Sequence, residues 1–94
     1  MEIENLIENL LESRAQTHGS FRESSATVQL IKHRMRAEDG WRDLLAAQKE
    51  ALEMIAHKIG RILHGNPNEP DHWRDIAGYA TLAAREVEAL NQKD

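Results

Sequence analysis

Residues 43–64, with the sequence DLLAAQKEALEMIAHKIGRILH, form the longest helical pattern in this 94-residue chain. Apolar side chains recur there every three or four residues, which is the spacing of one face of an α-helix. The members of this stripe are Leu44, Ala47 or Gln48, Ala51, Leu52, Ile55, Ile59, Ile62 and Leu63. Gly65 follows at the position where glycine commonly ends a helix. Gly60 lies inside the pattern, where it costs about 1 kcal/mol relative to alanine, so we expect a close helix crossing at this residue.

Three further helices are predicted around this stretch. A first amphipathic helix of about 13 residues ends before Thr17, and its apolar stripe is Ile3, Leu6, Ile7, Leu10 and Leu11. A second helix begins near Phe21 and ends near Arg36, and its thin stripe is Val28, Ile31 and Met35. A fourth helix begins near Pro70, because proline favours the first helical turn. Its predicted buried stripe is Trp73, Ile76, Ala77, Ala80, Ala84, Val87 and Leu90.

These patterns contain no strand signal, so we expect one all-α domain over residues 1–94, with about four helices in a small bundle. Aromatic residues make up 4% of the chain, so the core must be aliphatic. Small chains bury a small fraction of their surface, and a second subunit would add to the core. We therefore predict a homo-oligomer. The available surface would be the second helix and an alanine-rich face of the fourth, Ala77, Ala80, Ala83 and Ala84.

Composition excludes several classes of function. The chain has no cysteine, which excludes a disulfide scaffold, a thiolate metal site and a cysteine nucleophile. Its net charge of −4 argues against nucleic acid as a partner. No stretch approaches the roughly 20 apolar residues that a membrane span needs, so no membrane partner is expected. The first segment carries acidic residues where a targeting signal carries basic ones, and we expect a cytoplasmic protein.

The loop Thr17-His18-Gly19-Ser20-Phe21 is a candidate anion site. A glycine beside the start of a helix leaves backbone N–H groups available to phosphate or carboxylate. His18 could add a donor whose charge depends on pH. The alternative is an ordinary turn between helices, with Phe21 packed into the core.

A mixed cluster of charges links the third and fourth helices, and three interpretations remain open. Glu50, Asp71 and Asp75 could hold Mg²⁺, an ion that prefers oxygen ligands and bridges substrate phosphates. Lys58 and Arg61 could instead bind an anionic ligand with help from the first helix and the loop, through Arg14 and His18. A purely structural network of ion pairs between the two helices would use the same residues.

Three blocks of sequence, residues 14–21, 48–63 and 71–80, together resemble a phage and prophage domain of unknown function, over roughly residues 10–88. The resemblance implies a phage-encoded or prophage-encoded accessory protein of the bacterial cytoplasm. The polar positions that recur in the family correspond here to His18, Gly19, Lys58, Arg61, Asp71, Asp75 and Tyr79. The acidic residues are only loosely similar to the signature of MazG-type nucleotide pyrophosphohydrolases, because the spacing of the second acidic pair differs.

Three functions follow as alternatives. The first is binding of a small anionic ligand, a nucleotide or another phosphorylated molecule, through Arg14, His18, Gly19, Lys58, Arg61, Asp71, Asp75 and Tyr79, with no cofactor. Such a protein could sequester a nucleotide signal of host defence. The second is a MazG-like pyrophosphohydrolase, with Mg²⁺ held by Glu50, Asp71 and Asp75. The third is a helical inhibitor that binds a host protein.

Overall fold

The computed structural model describes residues 2–92, and this part of the chain is all-α, as predicted. The helices are α1 (Glu2–His18), α2 (Phe21–Ala37), α3 (Ala46–His64) and α4 (Pro70–Asn91). A short 3₁₀ helix, Asp39–Asp43, connects α2 to α3. No strand occurs between residues 2 and 92.

Two helix ends differ from the prediction. α1 continues past Thr17 to His18, because the helical conformation ends only at Gly19, which adopts a positive φ of 79°. The Gly19 N–H donates to the carbonyl of Ala15 at 2.8 Å and closes the last turn. α3 begins at Ala46 rather than Asp43, since Asp43 belongs to the 3₁₀ helix and the backbone of Leu44 and Leu45 is extended.

α3 is the central helix, because α1, α2 and α4 all pack against it. Polar contacts tie α2 to α3. The Thr27 hydroxyl lies 2.6 Å from Nε2 of His64, and the Lys32 ammonium donates to Nε2 of His57 at 3.1 Å. Gly60 confirms the predicted close crossing, because a Cβ at this position would meet α2.

We expect Gly60→Ala to lower the free energy of unfolding by about 1–2 kcal/mol, although alanine favours helices. The added Cβ would lie 2.6 Å from Cγ2 of Val28 and 2.7 Å from Oγ of Ser24. Gly78→Ala in α4 is the matched control, because no atom of the described chain lies within 4 Å of its Cβ. That variant should gain about 0.5–1 kcal/mol. Urea unfolding measures both, and equal changes would contradict the crossing.

The buried face of α4 is rotated by about one residue from the predicted stripe. The side chains turned toward α3 are His72, Ile76, Tyr79, Ala83 and Val87. Trp73 was predicted to be buried but is 54% exposed, and the indole N–H donates to the carbonyl of Pro67 at 2.8 Å. The rotation follows from His72, a polar side chain that is only 2% exposed and takes the inner position.

α1 contributes no buried residue to the fold. Its apolar stripe has the predicted members, and each is at least half exposed: Ile3, Leu6, Ile7, Leu10 and Leu11. The partly buried residues of α1 are Thr17 and His18 at its C-terminal end, and the molecule extends over 59 × 27 × 26 Å. None of the helices within residues 2–92 has the length and apolarity needed to cross a membrane.

Candidate functional site

Two interhelical turns, the one between α1 and α2 and the one between α3 and α4, dock against each other. The carbonyl of Thr17 accepts the Asn66 N–H at 2.9 Å and Nε2–H of His72 at 3.1 Å. The backbones are so close that a Cβ at Gly19 would overlap the carbonyl of His64. A Cβ at Gly65 would overlap the Thr17 carbonyl. The φ of Gly65 is −123°, which other residues can adopt, so glycine is needed here because the two backbones lie so close together.

The docked turns bring His18 into a cluster of positive groups. Its ring centroid lies 5.4 Å from that of His72. Partial burial lowers the pKa of His18 below its usual value of 6.5, and the nearby charges of Arg61, Lys58 and Arg14 lower it further. The lowered pKa favours the neutral form of the His18 ring, and the positive charges around it favour a negative group beside it.

Next to this cluster, α1, α2 and α3 enclose a groove of about 560 Å³, which we call the interhelix groove. Its basic and imidazole side chains are Arg14, His18, His57 and Arg61. Its hydroxyl, amide and small residues are Ser20, Ser24, Ser25, Gln29, Gly19 and Ala15, and its larger apolar residues are Leu11, Phe21 and Val28. Within residues 2–92, no Asp or Glu lines the groove.

The two arginines of the interhelix groove have no carboxylate partner in the described chain. The ion pairs of that part of the molecule use other cations. Burial lowers the pKa of His57, and the Lys32 ammonium lowers it further. Arg14 and Arg61 are thus left as the fixed positive charges of the groove.

Lys58 and Asp75 were predicted ligand residues, and the structure pairs them with each other. The Lys58 ammonium lies 2.7 Å from Oδ2 of Asp75 and joins α3 to α4. Lys58 is buried while Asp75 is about half exposed, and the hydrogen bond from Lys58 lowers the pKa of Asp75. This pair is therefore a contact between helices, and neither residue lines the interhelix groove.

The other two predicted residues of α4 also lie away from the interhelix groove. Asp71 is exposed and lies 3.6 Å from the guanidinium of Arg74. Tyr79 lines a separate, shallow depression on α4 together with Asp75 and Arg85. Among the predicted ligand residues, the groove therefore unites Arg14, His18, Gly19 and Arg61.

The structure does not assemble the predicted magnesium ligands. Glu50 is exposed on α3, and Asp75 is engaged by Lys58. No three His, Asp or Glu side chains between residues 2 and 92 are grouped closely enough to hold a metal ion. The helical spacing places Asp71 and Asp75 on one face of α4, but α3 presents an ammonium to that face instead of a carboxylate.

Sequence reasoning missed several groove residues. His57 and Ser24 occupy polar positions of otherwise amphipathic helices, which is the pattern of ordinary exposed residues. Ser24 could have been predicted from Gly60, because a close helix crossing at a glycine requires a small side chain on the facing helix. Phe21 was considered as a core residue, but it is 86% exposed and lines the groove.

The two lowered histidine pKa values predict how stability depends on pH. Both histidines titrate near 6.5 when unfolded and below that value in the folded protein. The unfolded chain therefore binds more protons in this range, and stability falls as pH decreases from above 6.5 through the folded pKa values. We expect His18→Gln to reduce this slope. Thermal unfolding at several pH values measures the slopes, and an unchanged slope in His18→Gln would contradict the assignment.

Of the comparisons with known proteins, the one with family models finds a match. Neither the comparison with curated proteins nor that with solved structures finds a match. A family model described as a domain of unknown function, DUF6378, matches residues 2–87. The match includes α1, α2, α3 and most of α4, and hence every residue that lines the interhelix groove. The chain therefore belongs to the DUF6378 family.

Proposed function

We propose that this protein binds a nucleotide, with its phosphate groups in the interhelix groove. The observation that carries the proposal is the distribution of charge. The chain has 16 acidic residues and a net charge of −4, yet none of the described acidic side chains lines this groove. The groove instead contains two arginines and two histidines. An acidic protein that keeps one concave surface free of carboxylates has a surface suited to an anion.

Three structural elements would hold the phosphates. Arg14 extends from α1 and Arg61 from α3, so that two guanidinium groups reach the groove from different helices. Guanidinium binds phosphate through paired hydrogen bonds. The N-terminus of α2 lines the same groove at Ser20, and the first N–H groups of a helix carry partial positive charge. His18 would gain a proton when a phosphate binds beside it, because a negative group raises its pKa.

Phe21 supports a ligand with an aromatic part. Its ring is 86% exposed at the first residue of α2, and it lines the same groove as the arginines. A nucleobase can stack on an exposed aromatic ring at a gain of about 1–3 kcal/mol. Leu11 and Val28 add apolar walls nearby. A nucleotide combines the anionic and aromatic parts that this groove would receive.

We further propose binding without hydrolysis. A pyrophosphohydrolase needs carboxylates around the phosphates to hold Mg²⁺, and the described lining of the groove offers none. Together with the resemblance of the three sequence blocks, this supports a phage- or prophage-encoded accessory protein that sequesters a nucleotide in the bacterial cytoplasm. Phosphorus NMR of ATP and Mg²⁺ incubated with the protein should show intact ATP, and protein-dependent release of pyrophosphate would contradict the proposal.

Calorimetry with a phosphate series tests the proposal. We expect affinity to increase from AMP to ADP to ATP, because each phosphate adds charge for Arg14 and Arg61. Adenosine should bind too weakly to detect. Absence of binding for the whole series, or equal affinities for adenosine and ATP, would overturn it.

A further inference from the structure

The accessible surface of the molecule is larger than that of a compact monomer of the same mass. Its accessible surface is 7241 Å² for a mass of 10.7 kDa. A compact monomer of this mass exposes roughly 5,500 Å², so the excess is roughly 1,700 Å². The radius of gyration is 16.4 Å, whereas a compact domain of this length has about 12 Å. Permanent subunit interfaces bury about 1,000–2,500 Å² per chain, which is the range of this excess.

The excess surface is most apolar along α1. Ile3, Leu6, Ile7, Leu10 and Leu11 form one continuous stripe and are 50–72% exposed. In contrast, the buried apolar core within residues 2–92 consists of Val28, Ala51 and Ala56. A contiguous apolar stripe of this kind marks an interaction surface.

We propose that α1 pairs in antiparallel orientation with α1 of a second copy of this chain, around a two-fold axis near residues 8 and 9. The proposal does not depend on the ligand of the interhelix groove. A stripe of isoleucine and leucine is complementary to itself, as a two-fold interface requires. The acidic opposite side of α1, with Glu2, Glu4, Glu8 and Glu12, makes an anionic membrane surface an unfavourable partner.

The charges of α1 select the register. With the axis between residues 8 and 9, Ile7 faces Leu10 of the second copy, and Leu6 faces Leu11. Glu4 then lies at the same level along the helix axis as Ser13 of the second copy, and Glu8 lies at the level of Asn9, so no two glutamates share a level. A parallel pair in register would instead place each glutamate beside its own copy, which is unfavourable. Leu11 also lines the interhelix groove, so the second copy would border that groove.

Sedimentation equilibrium tests the interface. We expect the wild-type protein to show twice the 10.7 kDa chain mass and Leu10→Glu to raise the dimer dissociation constant at least ~100-fold. Leu82→Glu is the matched control, because Leu82 is 56% exposed on α4, and it should remain dimeric. A monomeric wild-type protein, or a dimer disrupted by Leu82→Glu and not by Leu10→Glu, would overturn the proposal.

Disulfide crosslinking provides a milder test that does not depend on the folding of Leu10→Glu. The natural chain has no cysteine, so single variants give unambiguous products. In the proposed register, Ile7→Cys mixed with Leu10→Cys should crosslink under mild oxidation, and each variant alone should crosslink much less. Efficient crosslinking of Ile7→Cys alone, or of an Ala80→Cys control on α4, would contradict the antiparallel α1 pair.

Discussion

Replacing Gly19 by alanine is expected to lower the free energy of unfolding by about 3 kcal/mol or more. A residue with a Cβ loses about 1–2 kcal/mol in the left-handed conformation that Gly19 adopts at φ 79°. The new Cβ would also overlap the backbone carbonyl of His64, and overpacking adds about 1–3 kcal/mol. A backbone carbonyl cannot rotate away as the end of a side chain can.

Urea unfolding followed by circular dichroism measures this change, and Gly40→Ala is its control. Gly40 lies in the 3₁₀ helix, where no atom of residues 2–92 is within 4 Å of an added Cβ. That variant should stay within about 0.5 kcal/mol of the wild-type protein. If Gly19→Ala lost less than about 1 kcal/mol, the turns would not be docked as described.

Replacing both Arg14 and Arg61 by glutamine is expected to lower ATP affinity by about 10²–10⁴-fold. A hydrogen bond to a charged group contributes about 1.5–3 kcal/mol, so each single variant should lose about 10–100-fold. Neither side chain has an ion-pair partner among the described residues. We therefore expect the unfolding midpoint of the double variant to remain close to that of the wild-type protein.

The matched control for the arginine variants is Arg34→Gln. Arg34 is 79% exposed on α2 and pairs with Glu38 at 2.6 Å, outside the interhelix groove. Its replacement should leave ATP affinity unchanged. Equal losses in Arg34→Gln and Arg61→Gln would indicate a general effect of net charge, and an unchanged affinity in the double variant would exclude the groove as the phosphate site.

The helices could be predicted because apolar side chains recur with helical spacing through most of the chain. Their ends were harder to predict, since α1 continues through Thr17 and His18 and ends where Gly19 adopts a positive φ. The inner face of α4 was misassigned because His72 is buried through a hydrogen bond to the Thr17 carbonyl. Hydrophobic periodicity assigns such a histidine to the surface.

The candidate site was only partly predictable for a related reason. Arg14, His18 and Gly19 lie close together in sequence, and the turn chemistry of Gly19 already suggested an anion site. Arg61 reaches the same groove only because the two turns dock against each other. No local sequence pattern predicts that docking. The pairing of Lys58 with Asp75 likewise depends on how α3 and α4 pack, so residues that appeared to form one cluster belong to two sites.

An NMR titration of isotope-labelled protein with ATP tests the central claim most directly, because it reports where the nucleotide binds. The proposed function predicts saturable shifts in the backbone amides of Arg14, His18, Gly19, Ser20 and Arg61, which all line the interhelix groove. Arg34 and the exposed face of α4 should not respond. Shifts confined to α4 around Tyr79 and Arg85, or no shifts at millimolar ATP, would contradict nucleotide binding in this groove.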